Sequence, residues 1–133
     1  MDAAERFAGT PCNRLFGMRL VARSATRVEL ELPVRAEFAQ EEGVVQGGIL
    51  TALADTAAVY LLWPDLGPAR SMTGTECSMH FLAAAAPQGP PLRATAVPLR
   101  IGRTLAVCES TIEQGGRLVA KGTFSFLLRE RRL

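Results

Sequence analysis

The clearest pattern in the chain lies over residues 27–32, where Val28, Leu30 and Leu32 alternate with Arg27, Glu29 and Glu31. A period of two marks a strand with one face in the core and one in water. Pro33 ends it. A shorter strand is expected just before, over 18–23. The second half of the chain repeats the signal. Over 73–85, Thr75, Cys77, Met79 and Phe81 oppose Glu76, Ser78, His80 and Leu82. Residues 92–100 and 104–112 read as strands around a bend at Gly102. Pro98 makes the former an edge strand or a bulged one. Gln114-Gly115-Gly116 reads as a hairpin turn. A last strand sets Leu118, Ala120, Gly122, Phe124, Phe126 and Leu128 against Val119, Lys121, Thr123, Ser125 and Leu127. The charged tail 129–133 is expected to fray.

The helical signals are fewer. Residues 2–8 suit a short helix capped by Asp2 and stopped by Gly9, and 10–13 read as a turn. Residues 35–46 form a polar loop. The segment 47–62 then departs from everything around it: Gly47-Gly48 opens a run of Ile, Leu, Ala and Val. Its composition favours helix. It is apolar on nearly every side, so it belongs inside a fold rather than on a surface. Trp63-Pro64-Asp65 stops it. One central helix with two strands before it and about four after points to an α+β fold, an antiparallel sheet curled around that helix. Such a helix needs cover beyond one sheet, and a second copy of the chain is the simplest source.

The length of 133 residues, 48% hydrophobic, suits one domain spanning 1–133. A net charge of +2 is too weak a bias for a nucleic-acid binder. The apolar run 49–62 is broken by Asp55 and falls short of a bilayer span. No basic segment followed by an apolar core opens the chain, so no secretory signal is expected. Cys12, Cys77 and Cys108 make an odd count without a C-x-x-C pair. That argues against a disulfide scaffold or zinc site and for a reducing, cytoplasmic setting, with all three as small core residues. With one histidine, His80, taken as structural, no metal site is expected.

Asp55 is the residue that needs a reason. It sits two turns into the apolar helix, where an unpaired carboxylate is costly to bury. It either does chemistry or is a structural acid paired with an arginine or bonded back to its helix. The helix start adds a second candidate. Its first amides have no partner within the helix, and the macrodipole adds positive potential there. Glycines at 47 and 48 let another molecule approach that backbone closely. Such a start can hold an oxyanion. Helical periodicity places Gly48, Thr51, Asp55 and Ala58 on one stripe.

The order Gln40-Glu41-Glu42-Gly43-Val44-Val45-Gln46-Gly47-Gly48, followed by Leu53-Ala54-Asp55, resembles the signature of hotdog-fold acyl-CoA thioesterases of the phenylacetate-pathway (PaaI-like) and 4-hydroxybenzoyl-CoA groups. In the former the loop reads N-x-x-G-x-x-H-G-G, with an acid nine positions after the His, and Asp55 stands nine positions after Gln46. Residues 75–82 resemble the family's central strand, Gly102-Arg103-Thr104 its G-[KR]-T turn, and Gly116 to Ala120 its last hairpin. Two positions depart from the pattern. Gln46 replaces the His, as also happens in the 4-hydroxybenzoyl-CoA type, and Gln40 replaces the Asn. Gly74 falls where the family often carries a Ser or Thr.

The resemblance implies a hotdog fold of about six strands around the central helix. It implies hydrolysis of an acyl-CoA to a free acid and CoA, with CoA as part of the substrate and no cofactor. Asp55 would serve as general base or nucleophile. The Gly47 amide would polarise the thioester carbonyl. Gln40 would position water or the acyl group, and Gln46 would fix the loop or assist the leaving thiolate. Gly48 and Phe81 would contact substrate, and Arg103, shaped by Gly102 and Thr104, would meet a CoA phosphate. The resemblance also implies a homodimer, as part of a dimer of dimers, with each site shared between two subunits. Three other readings stand beside it: a non-catalytic acyl-CoA-binding or regulatory domain, a hydratase or dehydratase relying on His80, and a structural dimer with Asp55 in a buried ion pair.

Overall fold

The computed structural model describes residues 2–132. Six strands form one antiparallel sheet: β1 (Arg19–Arg23), β2 (Val28–Leu32), β3 (Arg70–Phe81), β4 (Leu92–Ile101), β5 (Leu105–Gln114) and β6 (Arg117–Glu130). Their order across the sheet is β1-β2-β4-β5-β6-β3. Helices α1 (Ala3–Gly9) and α2 (Pro11–Phe16) precede the sheet, and α3 (Gly47–Leu62) lies against it. The expected α+β plan is the one observed.

Each strand of the inner face contributes alternate side chains to the core, as a pleated backbone requires. Val28, Leu30 and Leu32 come from β2, Ala94 and Ala96 from β4, Ala106, Cys108 and Ile112 from β5, and Phe124, Phe126 and Leu128 from β6. α3 covers them with Leu50, Leu53, Ala54, Ala57, Ala58, Tyr60, Leu61 and Leu62. Full burial of a Leu or Phe side chain is worth about 1.5–3 kcal/mol. The alanines let helix and sheet approach closely. With its terminal 3-10 turn (Trp63–Asp65), α3 runs 19 residues, so by length and hydropathy alone it could span a bilayer. Here it is the core helix, and its polar positions face one open side.

Two polar devices fix α3 in place. The buried Ser110 hydroxyl on β5 donates to the Ala54 carbonyl at 2.8 Å. Arg23 on β1 donates through Nε to the Tyr60 carbonyl at 2.7 Å and through Nη2 to Leu61 at 3.3 Å and Asp65 at 2.8 Å. A cation at a helix C-terminus satisfies free carbonyls and opposes the dipole.

Several local expectations need correction. Residues 10–13 are not a turn: Pro11 opens α2, a position its fixed φ favours. Gly17, at φ 80°, closes that helix in the left-handed conformation. Asn13 is buried, and its amide donates to the Phe7 carbonyl at 3.1 Å. Residues 129–130 do not fray, since β6 extends to Glu130 and pairs with β3 as far as Arg70. The Arg131 amide then donates to the Ala69 carbonyl at 2.8 Å. Only Cys108 is a core cysteine, its thiol pushed up to about 11 by burial. Cys12 and Cys77 are exposed. The bulge at Pro98 is present, between Pro98 and Arg100 on internal strand β4, past the last residue of β4 that pairs with β2. Gly115 and Gly116, both at positive φ, make the hairpin expected there.

β3 begins and ends earlier than its sequence suggests. Its alternation does not translate into one buried face, because β3 is an edge strand exposed over most of its length. A bulge at Thr75 shifts its register against β6.

Candidate active site

Asp55 projects from the open side of α3. It is exposed in the single chain, not buried as expected, and it lines a hollow of about 570 Å³ with Gly48, Thr51, Ala52, Thr75 and Glu76. Gly48, Thr51 and Asp55 thus share the stripe that helical spacing indicates, while Ala58 turns into the core. Among the described residues, no cation pairs with the Asp55 carboxylate and no donor bonds to it. Partial burial against the helix and β3 raises its pKa above the ordinary carboxylate value. The nearby hydroxyls are already engaged: Thr51 Oγ1 donates to the Gly47 carbonyl at 2.9 Å, and Thr75 Oγ1 to Ser125 at 3.2 Å.

The start of α3 opens into a different hollow, of about 470 Å³, whose lining includes Gln40, Val44, Gly47, Leu50 and Phe81. Gln46 is the N-cap residue, in an extended conformation, without a side-chain cap. Its carbonyl receives the Ile49 amide at 3.0 Å and the Leu50 amide at 3.4 Å. The amides of Gly47 and Gly48 come before these and have no partner among the described residues. A Cβ on Gly47 would lie 3.2 Å from the Phe81 ring, so the glycine seats that ring against the helix start. The Phe81 side chain is 55% exposed.

The two glutamines are turned toward their own loop. Gln40 Oε1 accepts from the Glu42 amide. The Gln46 side chain folds over Gly48, where a Cβ would lie 3.1 Å from its Oε1.

Gly102, Arg103 and Thr104 sit elsewhere. Gly102 lines a small hollow with Leu61, Asp65 and Arg70, at the C-terminal end of α3. The Arg103 carbonyl accepts from Arg70 and the Thr104 carbonyl from the Leu128 amide, leaving the Arg103 side chain exposed. The 16 residues of α3 span roughly 24 Å at 1.5 Å per residue, so this turn and Gly47 lie at opposite ends of the molecule's core.

Within one chain, then, the structure joins Asp55 with Gly48, and Gly47 with Gln40 and Phe81, but not the two sets. Asp55 follows Gly47 by eight residues, which is about 12 Å along the axis. Glu76, a second carboxylate in the Asp55 hollow, was legible only as a polar strand residue. Ser110 could have been singled out, since it is the one polar side chain in the buried period-two series 106, 108, 110, 112.

Comparison with known proteins bears on the family and the fold. Residues 42–121 match the family described as the Thioesterase superfamily. That is more than half of the chain, including the end of the loop, all of α3 and most of the sheet, and the protein belongs to this superfamily. The architecture is the hotdog fold of its PaaI-like members. A Thioesterase family protein from Silicibacter pomeroyi superposes with a TM-score of 0.85 at 25% identity, over 96% of this chain and 95% of that one. AziG from S. sahachiroi gives 0.84 at 27%, over 93% and 98%. A mutant of the phenylacetic acid degradation protein PaaI from Thermus thermophilus gives 0.80 at 25%, over 89% and 98%. No curated protein matches the chain.

Proposed function

We propose that this protein hydrolyses acyl-CoA thioesters at a site shared by two copies of the chain. One observation carries the reading: α3 holds an unpaired carboxylate on its open side and unpartnered amides at its start, about 12 Å apart along the axis. A reacting carbonyl has to lie near 3 Å from both an oxyanion donor and the attacking group. One chain cannot supply both at that spacing, whereas a partner's α3 start facing this chain's Asp55 can. The long exposed β3 edge supports such a partner, because its unpaired backbone groups suit pairing with a second copy. Exposed Ile101, Leu105 and Leu127 on the sheet support a further pairing of dimers.

In the general-base route Asp55 takes a proton from water, and the resulting hydroxide attacks the thioester carbon. The oxyanion rests on the Gly47 amide. The C–S bond then breaks, and the CoA thiolate takes the proton back. In the nucleophilic route Asp55 attacks the carbon itself, thiolate leaves, and water hydrolyses the mixed anhydride. Both give one carboxylic acid and one CoA thiol, without a cofactor. Gln40 Nε2 orients water or the acyl group, and Gln46 holds the loop over Gly48. The Arg103 side chain, exposed on its turn, meets a CoA phosphate. Three free cysteines fit a reducing, cytoplasmic compartment.

A second reading, an acyl-CoA-binding domain without turnover, draws on the two glutamine side chains that fold back on their own loop. The purified protein is assayed against a panel of acyl-CoA thioesters with detection of released thiol. Turnover supports hydrolysis. Calorimetric binding without thiol release supports the second reading and ends the first.

A further inference from the structure

The Asp55 hollow does not end at Asp55. A second hollow, of about 450 Å³, lies beside the later turns of α3, and its lining includes Cys12, Thr56, Val59, Trp63 and Met72. Gly74 and Phe126 border both hollows and face each other across the β3–β6 ladder. Phe126 is buried and forms the floor between them. No charged side chain of the described residues lines the second hollow.

Glycine at 74 is not required by the backbone, because its φ is not positive. Nor is it required by crowding: a Cβ would stand 3.7 Å from the Phe126 ring, an ordinary contact. Glycine also weakens a strand relative to a β-branched residue. The position that lacks a side chain is one of the two residues shared by the linings of both hollows.

We propose that Gly74 is the gate through which an uncharged apolar acyl tail passes from the Asp55 hollow into the one beneath Val59 and Met72, so that this residue sets acyl selectivity. The inference rests on the reading of the Asp55 hollow as the thioester site. The substrate class that follows is an acyl group larger than acetyl and without a terminal charge, either a medium chain or a single ring. An apolar cavity of roughly 150 Å³ already takes a benzene ring. Each methylene that enters the second hollow raises affinity about fourfold.

The test compares wild type, Gly74→Val and Val59→Phe. The first variant narrows the gate, with a residue suited to a strand. The second fills the hollow from α3 and leaves the sequence of β3 unchanged. Binding of non-hydrolysable thioether analogues of acetyl-CoA, hexanoyl-CoA, phenylacetyl-CoA and succinyl-CoA is measured by calorimetry, and thiol release from the matching thioesters is measured in parallel. Wild type is expected to bind the hexanoyl analogue more than about tenfold tighter than the acetyl analogue, and to reject the succinyl tail. In both variants that ratio collapses toward one. The gate is overturned if wild type shows no gain with tail length, or if the gain survives in Gly74→Val; survival in Val59→Phe alone overturns the placement of the tail in the second hollow. A tail-dependent gain without thiol release leaves the gate standing and refutes hydrolysis. Thiol release with no tail dependence does the reverse.

Discussion

Replacing Gly47 with proline removes one N–H and little else. Gly47 is the first residue of α3, where proline's fixed φ is compatible with the helix and its missing donor breaks no helical bond. Proline also restricts the residue before it to extended conformations, and Gln46 is already at φ −62°, ψ 139°. The Gly47 carbonyl keeps its bond from Thr51. The added Cβ meets the Phe81 ring at 3.2 Å, and a ring 55% exposed can yield a few tenths of an ångström. Stability is therefore expected to stay within about 1 kcal/mol, a melting shift of a few degrees. Catalysis is different. Loss of one oxyanion donor costs about a hundred- to a thousandfold in kcat, or about 2.7–4 kcal/mol. Gly47→Ala adds the same contact with Phe81 and keeps the N–H, so its rate stays far closer to wild type. The assay is thiol release under saturating acyl-CoA, paired with a thermal melt at matched protein concentration. A Gly47→Pro enzyme that melts normally and turns over at the wild-type rate refutes the donor role. A Gly47→Ala enzyme as slow as the proline variant assigns the loss to the displaced ring instead.

Gly122→Ala is expected to destabilise by about 1–3 kcal/mol through overpacking. Its Cβ would lie 2.6 Å from the Ser78 carbonyl oxygen and 2.3 Å from Met79 Sδ, so β3 has to move off β6; chemical denaturation measures the loss. Ser110→Ala removes one buried bond to a carbonyl that keeps its helical partner, for a cost of about 0.5–1.5 kcal/mol in the same assay. The raised pKa of Asp55 has a stability consequence of definite sign. The folded state holds this proton more tightly than the unfolded state, so ionisation of Asp55 costs stability as pH rises through the ordinary carboxylate value to the folded one. Asp55→Asn is accordingly more stable than wild type at neutral pH, and the gap closes as pH falls below the unfolded value. An Asp55→Asn chain less stable at pH 7 contradicts the unpaired state of this carboxylate.

The strands and the core helix were legible because period-two and helical spacing report burial directly. β2 is the clearest case, with Val28, Leu30 and Leu32 all fully buried. α2 was missed because Pro11 reads equally as a turn residue and as the first residue of a helix. β3 misled because alternation predicts one buried face, and an edge strand lying beyond the core has none to offer in a single chain. Asp55 and the glycines of α3 stood out as exceptions to an apolar run. That spacing put Asp55 and Gly48 on one stripe, but it did not reveal that the helix carries Asp55 toward open space rather than into the core. The contact between Phe81 and the helix start joins residues 34 positions apart, which no local pattern encodes. The second hollow joins α2, α3, β3 and β6, and contacts between elements so distant in sequence leave no periodic trace.

Turnover by Asp55→Asn addresses the claim on which the functional reading stands. Wild type and variant are purified, shown to be folded by their melts, and compared for thiol release from the best acyl-CoA of the panel. The expected result is a loss of about a hundred- to ten-thousandfold in the folded variant, the range for removal of a positioned acid–base group. A folded Asp55→Asn protein that releases CoA as fast as wild type would show that the carboxylate on α3 neither attacks the thioester nor activates water.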